Sequence, residues 1–82
     1  MLKKVCKDWS DDDILEFLNI PYQKAVEKNG GWNIGNWSLE CYAEYGYYNW
    51  YAVLTDENYK ILKKILIAEK NIFYDEIKLK KI

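Results

Sequence analysis

Carboxylates, thiols and lysines are the residues of this chain with types suited to chemistry. Asp11, Asp12 and Asp13 stand in a row, and such a row can hold a divalent cation when its oxygens converge. Adjacent helical residues diverge by about 100° each, whereas cation loops draw oxygens from several directions. The triplet also lacks an Asp/Asn-x-Asp-x-Gly loop. It reads as the acidic first turn of a helix, where the helix dipole favours negative charge. Glu40 and Glu44 share one strand face about 13 Å apart, beyond the reach of a paired glycosidase acid and nucleophile. The 82 residues contain no His and no Arg, so the usual general base and the bidentate phosphate clamp are both missing. Gly30-Gly31 and Gly35 neither follow a strand nor open a helix, as a nucleotide-binding fingerprint requires. Cys6 and Cys41 lie outside any CxxC spacing and, without His, do not suggest zinc. They read as buried apolar thiols rather than a disulfide. These absences argue against an enzyme and predict no cofactor and no metal.

The elements that position these residues follow from periodicity. Ser10 is a cap, and Ile14, Leu15, Phe17 and Leu18 recur at helical spacing, giving a short helix to about Asn19. Pro21 then breaks the chain and opens a second helix to Lys28, with Tyr22, Ala25 and Val26 on one side and Asn29-Gly30-Gly31 as its end. From Asn36 to Thr55 the period changes to two. Trp37, Leu39, Cys41, Ala43 and Tyr45 alternate with Ser38, Glu40, Tyr42 and Glu44, and Tyr48, Trp50, Ala52 and Leu54 repeat the pattern. A turn at Gly46-Tyr47 makes a hairpin in which Ala43 faces Trp50, Cys41 faces Ala52 and Tyr42 faces Tyr51. Slipping that register by one residue would mix the apolar and polar faces. Thr55-Asp56-Glu57 predicts the start of a longer helix to about Lys70, with Ile61, Leu62, Ile65 and Leu66 as its stripe. Phe73 to Leu79 predicts a returning strand, and Leu2 to Cys6 a further one. The expected fold is a single α+β domain over residues 1–82. Its small antiparallel sheet (the hairpin at about 37–54 plus the C-terminal strand) carries two short N-terminal helices and one longer helix.

The segment Asp13-Ile14-Leu15-Glu16-Phe17-Leu18-Asn19-Ile20-Pro21-Tyr22-Gln23-Lys24-Ala25-Val26 resembles a helix-turn-helix over about a fifth of the chain. The resemblance implies a nucleic-acid-binding reading in which Tyr22, Gln23, Lys24 and Lys28 face the groove. The chain departs from the motif at Leu15, where a small residue usually sits, at Asn19 in the place of the turn glycine, and at Val26, one residue late. Asp11 to Asp13, Glu16 and Glu27 would repel phosphates, so the segment is better read as a helical cover for the sheet.

The polar face of the hairpin is the favoured site. Glu40, Tyr42, Glu44, Tyr47, Asn49 and Tyr51 form an aromatic and acidic patch without lysine, and Trp32, Asn33 and Asn36 extend it. Rigid aromatics among carboxylates suit a protein partner with a basic surface, such as a nucleic-acid-binding protein. The same tyrosines could stack unpaired bases, but such platforms need neighbouring positive charge.

The composition agrees with this choice. Seventeen per cent of residues are aromatic, more than a core this small encloses, so some must be contact residues at the surface. A net charge of −1 excludes a strongly basic nucleic-acid binder. The N-terminus lacks the apolar run of a secretory signal, and the expected compartment is cytoplasmic. The profile is similar in physical character, not in motif, to small immunity proteins and to inhibitors carried by mobile elements, such as phage proteins that block host defence. The expected function is therefore a non-catalytic protein-binding module acting by surface occlusion. Nucleic-acid binding is the alternative, and the outer edge of the hairpin permits either a monomer or a homodimer.

Overall fold

Ser10 opens the only helix that the computed structural model forms among the described residues, 3–82. Its hydroxyl accepts the Asp13 N–H at 3.3 Å, and its own N–H donates to the Asp13 carboxylate at 3.1 Å, a complete capping box. Helix α1 then runs without interruption over Asp11–Lys28. The predicted pair of short helices is thus one helix, and the helix-turn-helix geometry is absent from this segment. Pro21 lacks the N–H that would bond the Phe17 carbonyl and costs the helix one hydrogen bond. Ile14, Leu18, Tyr22, Ala25 and Val26 are all buried along one stripe spanning the proline. Each fully buried aliphatic side chain contributes about 1.5–3 kcal/mol, enough together to hold the helix through the lost bond. Asn29 closes it, donating through Nδ2 to the Ala25 carbonyl at 2.9 Å.

Five strands follow the order β1-β5-β4-β3-β2, every neighbour antiparallel. They are β1 (Lys3–Val5), β2 (Asn36–Glu44), β3 (Tyr47–Thr55), β4 (Ile61–Asn71) and β5 (Glu76–Leu79). The α+β class and the antiparallel sheet agree with the sequence. The N-terminal strand lies within its predicted span, of which Leu2 falls outside the described residues, and the C-terminal strand is shorter than predicted.

The longer helix expected from Thr55 to Lys70 is instead strand β4. Asp56, read as a helix start, closes the β3–β4 turn: its carboxylate accepts the N–H groups of Asn58 at 2.8 Å and Lys60 at 3.0 Å. The β4 register slips at two places, opposite Trp50/Tyr51 and Leu54/Thr55, leaving Ile67 and Leu62 without a direct partner. Each extra residue resets the two-residue alternation. The resets place apolar residues next to one another and imitate a helical stripe.

The β2–β3 hairpin forms, with its register displaced by two residues. The loop is Tyr45-Gly46, with φ of 48° and 82°, the two positive values of a type I′ turn. Cys41 accordingly faces Trp50, Ala43 faces Tyr48 and Glu40 faces Tyr51. A shift of two preserves the side-chain parity, so both faces keep their predicted members. Helix α1 covers one face, where its stripe packs on Trp50, Ala52, Ile67, Ala68 and Ile77 with Cys6. The opposite face carries Tyr42, Tyr51 and Lys64, and no helix among the described residues lies over it.

Candidate functional site: a tyrosine–lysine face and an aromatic tip

The uncovered face is organised by two hydrogen-bonded carboxylates. Tyr51 donates its hydroxyl to Glu44 Oε1 at 2.8 Å, and Asn49 Nδ2 donates to the same oxygen at 3.2 Å. Tyr42 donates to Glu40 Oε1 at 3.1 Å, and Ser38 Oγ to Glu40 Oε2 at 2.9 Å. The two tyrosine rings meet edge to face, with centroids 5.6 Å apart. That separation lies within the favoured range for aromatic pairs. Asn49 Oδ1 is buried without a hydrogen-bond partner among the described residues.

The sequence placed no lysine on this face, and the structure corrects that. Lys64 pairs with Val53 across β3 and β4, and its Nζ stands 4.2 Å from both tyrosine ring centroids. Read as a helical residue, Lys64 had no address on the face; the strand at β4 supplies one. Its aliphatic stem follows the sheet beside Val53, which is fully buried, while its charge reaches the rings.

The electrostatics fix the protonation states. Hydrogen bonds from Tyr51 and Asn49, with a smaller contribution from the Lys64 charge, hold Glu44 below the ordinary carboxylate range against the opposing effect of desolvation. Desolvation raises the Tyr42 phenol, and the bond to Glu40 and the charges of Glu40 and Glu44 add to it. Desolvation likewise raises Tyr51, followed by its bond to Glu44. These shifts keep both phenols protonated and the Glu44 carboxylate ionised at neutral pH. None of the shifted groups moves toward neutrality, where a general acid or base works best.

A second feature escaped the sequence. The β2–β3 and β4–β5 turns lie side by side, and the Ile72 N–H donates to the Gly46 carbonyl at 3.0 Å. Five large side chains are exposed on the joined tips: Tyr45 at 100%, Phe73 at 81%, Tyr74 at 67%, Ile72 at 46% and Tyr47 at 38%. Tyr47 pairs with Glu44, which makes the tip continuous with the tyrosine–lysine face. The available signal is the run of aromatics at the turns, but the alternation from Phe73 to Leu79 predicts a strand that takes in Phe73 and Tyr74.

The remaining predicted residues scatter. Tyr22 is buried in the core and stacks edge-on against Trp32 at 5.6 Å, so it cannot enter a nucleic-acid groove. Gln23 is exposed and donates to Asn19. Lys24 and Lys28 line a groove of about 830 Å³ between α1 and the C-terminal segment, together with Lys80 and Lys81. Asn33 and Asn36 are exposed. Cys6 is buried as expected, while Cys41 is exposed, because β2 is the edge of the sheet; both thiols are free. No helix among the described residues is long and apolar enough to cross a membrane. The chain matches no family model, and comparison with curated proteins and with solved structures finds no significant match.

Proposed function

We propose that this chain is a non-catalytic protein-binding module whose contact surface is the uncovered sheet face, continued over the aromatic tip. The observation that carries the reading is the set of five exposed apolar and aromatic side chains on two hydrogen-bonded turns. Contiguous exposed patches of this kind are binding sites more often than ordinary surface. Tyrosine gives such a site large contact area at low entropic cost. The cross-bonded Glu40, Tyr42, Glu44, Asn49, Tyr51 and Lys64 form a pre-ordered floor beside it. The Glu40 and Glu44 carboxylates of that floor and the exposed Asp75 on the β4–β5 turn favour a partner with a basic rim, and the module acts by occupying that surface.

Nucleic-acid binding is the second reading, and one observation favours it: Lys24, Lys28 and Lys81 line the groove between α1 and the C-terminal segment, although Glu16 lines it too and Lys80 there is tied to Glu69 at 2.9 Å. The tyrosine face supports it poorly, because Lys64 lies over both rings where bases would stack. Intrinsic fluorescence titrated with single- and double-stranded DNA and RNA separates the readings. The protein-binding module gives a flat trace even at low salt. Saturable binding that weakens steeply with salt would transfer the function to the lysine groove.

A further inference from the structure

We infer that two copies of this chain join through β2, antiparallel, about a two-fold axis at Cys41. Strand β2 is nine residues long and forms one edge of the sheet, paired only with β3 among the described residues. A free edge offers a row of backbone donors and acceptors, which proteins normally blunt with Pro, Lys or a bulge. The segment NWSLECYAE holds neither Pro nor Lys, and its pairing with β3 has no register break.

The turn decides which groups point outward. Glu44 and Tyr47 close a two-residue loop and form a hydrogen-bonded pair, so the even-numbered residues of β2 bond to β3. Leu39, Cys41 and Ala43 therefore direct their N–H and C=O groups to the open edge. An axis at Cys41 matches these groups as Leu39 with Ala43 of the second copy, Cys41 with Cys41, and Ala43 with Leu39. On the uncovered face Glu40 then meets Tyr42 of the second copy and Ser38 meets Glu44. This repeats between copies the carboxylate–hydroxyl pairing that each chain already makes internally.

Other registers are poorer. A shift of two residues one way sets Glu40 against Glu40, and the other way sets Glu40 against Glu44, both like-charge pairs. A shift of four one way carries the Tyr45–Gly46 tip past the end of β2 and alongside residues 32 and 33, and the other way leaves only residues 42–44 of the two strands paired. The second copy also covers what the edge leaves open: Leu15 is 45% exposed and shares a cleft with Cys41, Tyr48 and Trp50. With the axis perpendicular to the sheet, both uncovered faces lie on one side, and the tyrosine–lysine clusters of two copies become neighbours on one continuous surface.

Sedimentation equilibrium of the chain alone, under reducing conditions, tests the association without any binding partner. The wild type sediments as a concentration-dependent dimer. Ala43→Pro, which removes an outward N–H and leaves the β2–β3 bonds in place, sediments as a monomer with an unchanged circular dichroism spectrum. Diamide then links the wild type through Cys41, since directly opposed residues lie about 5.5 Å apart at Cα, inside the disulfide range; Cys41→Ser gives no linked dimer. A wild type that stays monomeric at all concentrations, or a folded Ala43→Pro that still dimerises, overturns the edge pairing. A dimer abolished by Ala43→Pro but not linked by diamide overturns the axis at Cys41. Should Ala43→Pro unfold, Ala43→Lys, which opposes a new charge to the edge, serves the same comparison.

Discussion

Tyr51 donates its hydroxyl to Glu44 at 2.8 Å although the residue directly opposite Tyr51 on β2 is Glu40, four positions away. The bond therefore runs obliquely along the hairpin and ties the middle of β3 to the turn. Asn49 reaches the same Glu44 oxygen from between them, so one carboxylate holds two rows of the sheet.

Stability should depend on pH at both ends of the range. Glu44 is lowered on folding, so its contribution is present above its unfolded pKa and is lost as pH falls through the folded one. Tyr42 and Tyr51 are raised, so theirs is present below the unfolded phenol value and is lost as pH rises through the folded ones. Urea unfolding from acid to alkaline pH should give a plateau that falls at each end. In Tyr51→Phe the acid limb should shrink, and an unchanged limb would mean that Glu44 is not held by this bond.

Pro21 offers a test of the continuous helix. Pro21→Ala restores the N–H to the Phe17 carbonyl and removes the ring from the preceding turn, and should stabilise the chain by up to about 3 kcal/mol. Denaturant midpoints measure this directly. A break between two helices at Asn19–Pro21 would make the substitution neutral or destabilising.

The buried stripe of α1 is tested by two leucines. Leu18 is fully buried and Leu15 is nearly half exposed. Leu18→Ala should cost about 2–5 kcal/mol, a large share of the roughly 4–12 kcal/mol expected for a domain of this length. At concentrations where the chain is monomeric, Leu15→Ala should cost well under half as much, and equal losses there would refute the orientation of the helix.

Lys64 should matter in two ways. Lys64→Ala removes an exposed cation–π contact worth about 0.5–1 kcal/mol, visible as a small drop in Tm. Lys64→Glu also removes the charge that helps to lower Glu44, so carboxylate titration by NMR should place Glu44 higher than in the wild type. An unmoved Glu44 would show that Lys64 is not on this face in solution.

Much of this arrangement was legible in the sequence, and the rest depends on register, bulges, strand order and tertiary burial, which local patterns do not encode. The alternation from Trp37 to Leu54 gave the hairpin and assigned Tyr42, Tyr51, Glu40 and Glu44 to one face. Placing the turn one residue late moved the register by two, which alternation alone cannot detect because parity is unchanged. Strand β4 is masked because its bulges at Leu62 and Ile67 break the two-residue alternation, while Ile61, Leu62, Ile65 and Leu66 stand at helical spacing. That single misreading removed Lys64 from the site and Ile72 from the tip. Pro21 misled in the opposite sense, since tertiary burial on both sides of it outweighed the local signal to stop. The exposed thiol of Cys41 depends on strand order, which no local pattern encodes.

If a protein partner docks on the uncovered face and its aromatic tip, as proposed, capture of that partner from a lysate of the source cells depends on the aromatic residues and not on the groove lysines. The comparison uses tagged wild type, Tyr42→Ala with Tyr51→Ala, and Lys24→Ala with Lys28→Ala. Circular dichroism of each checks folding, and Phe73→Ala with Tyr74→Ala, at exposed turn positions, supplies a form whose fold should be undisturbed. One protein held by the wild type should be lost from both aromatic variants and retained by the lysine variant. Retention by folded aromatic variants with loss from the lysine variant would rule this out and move the binding site to the groove beside α1.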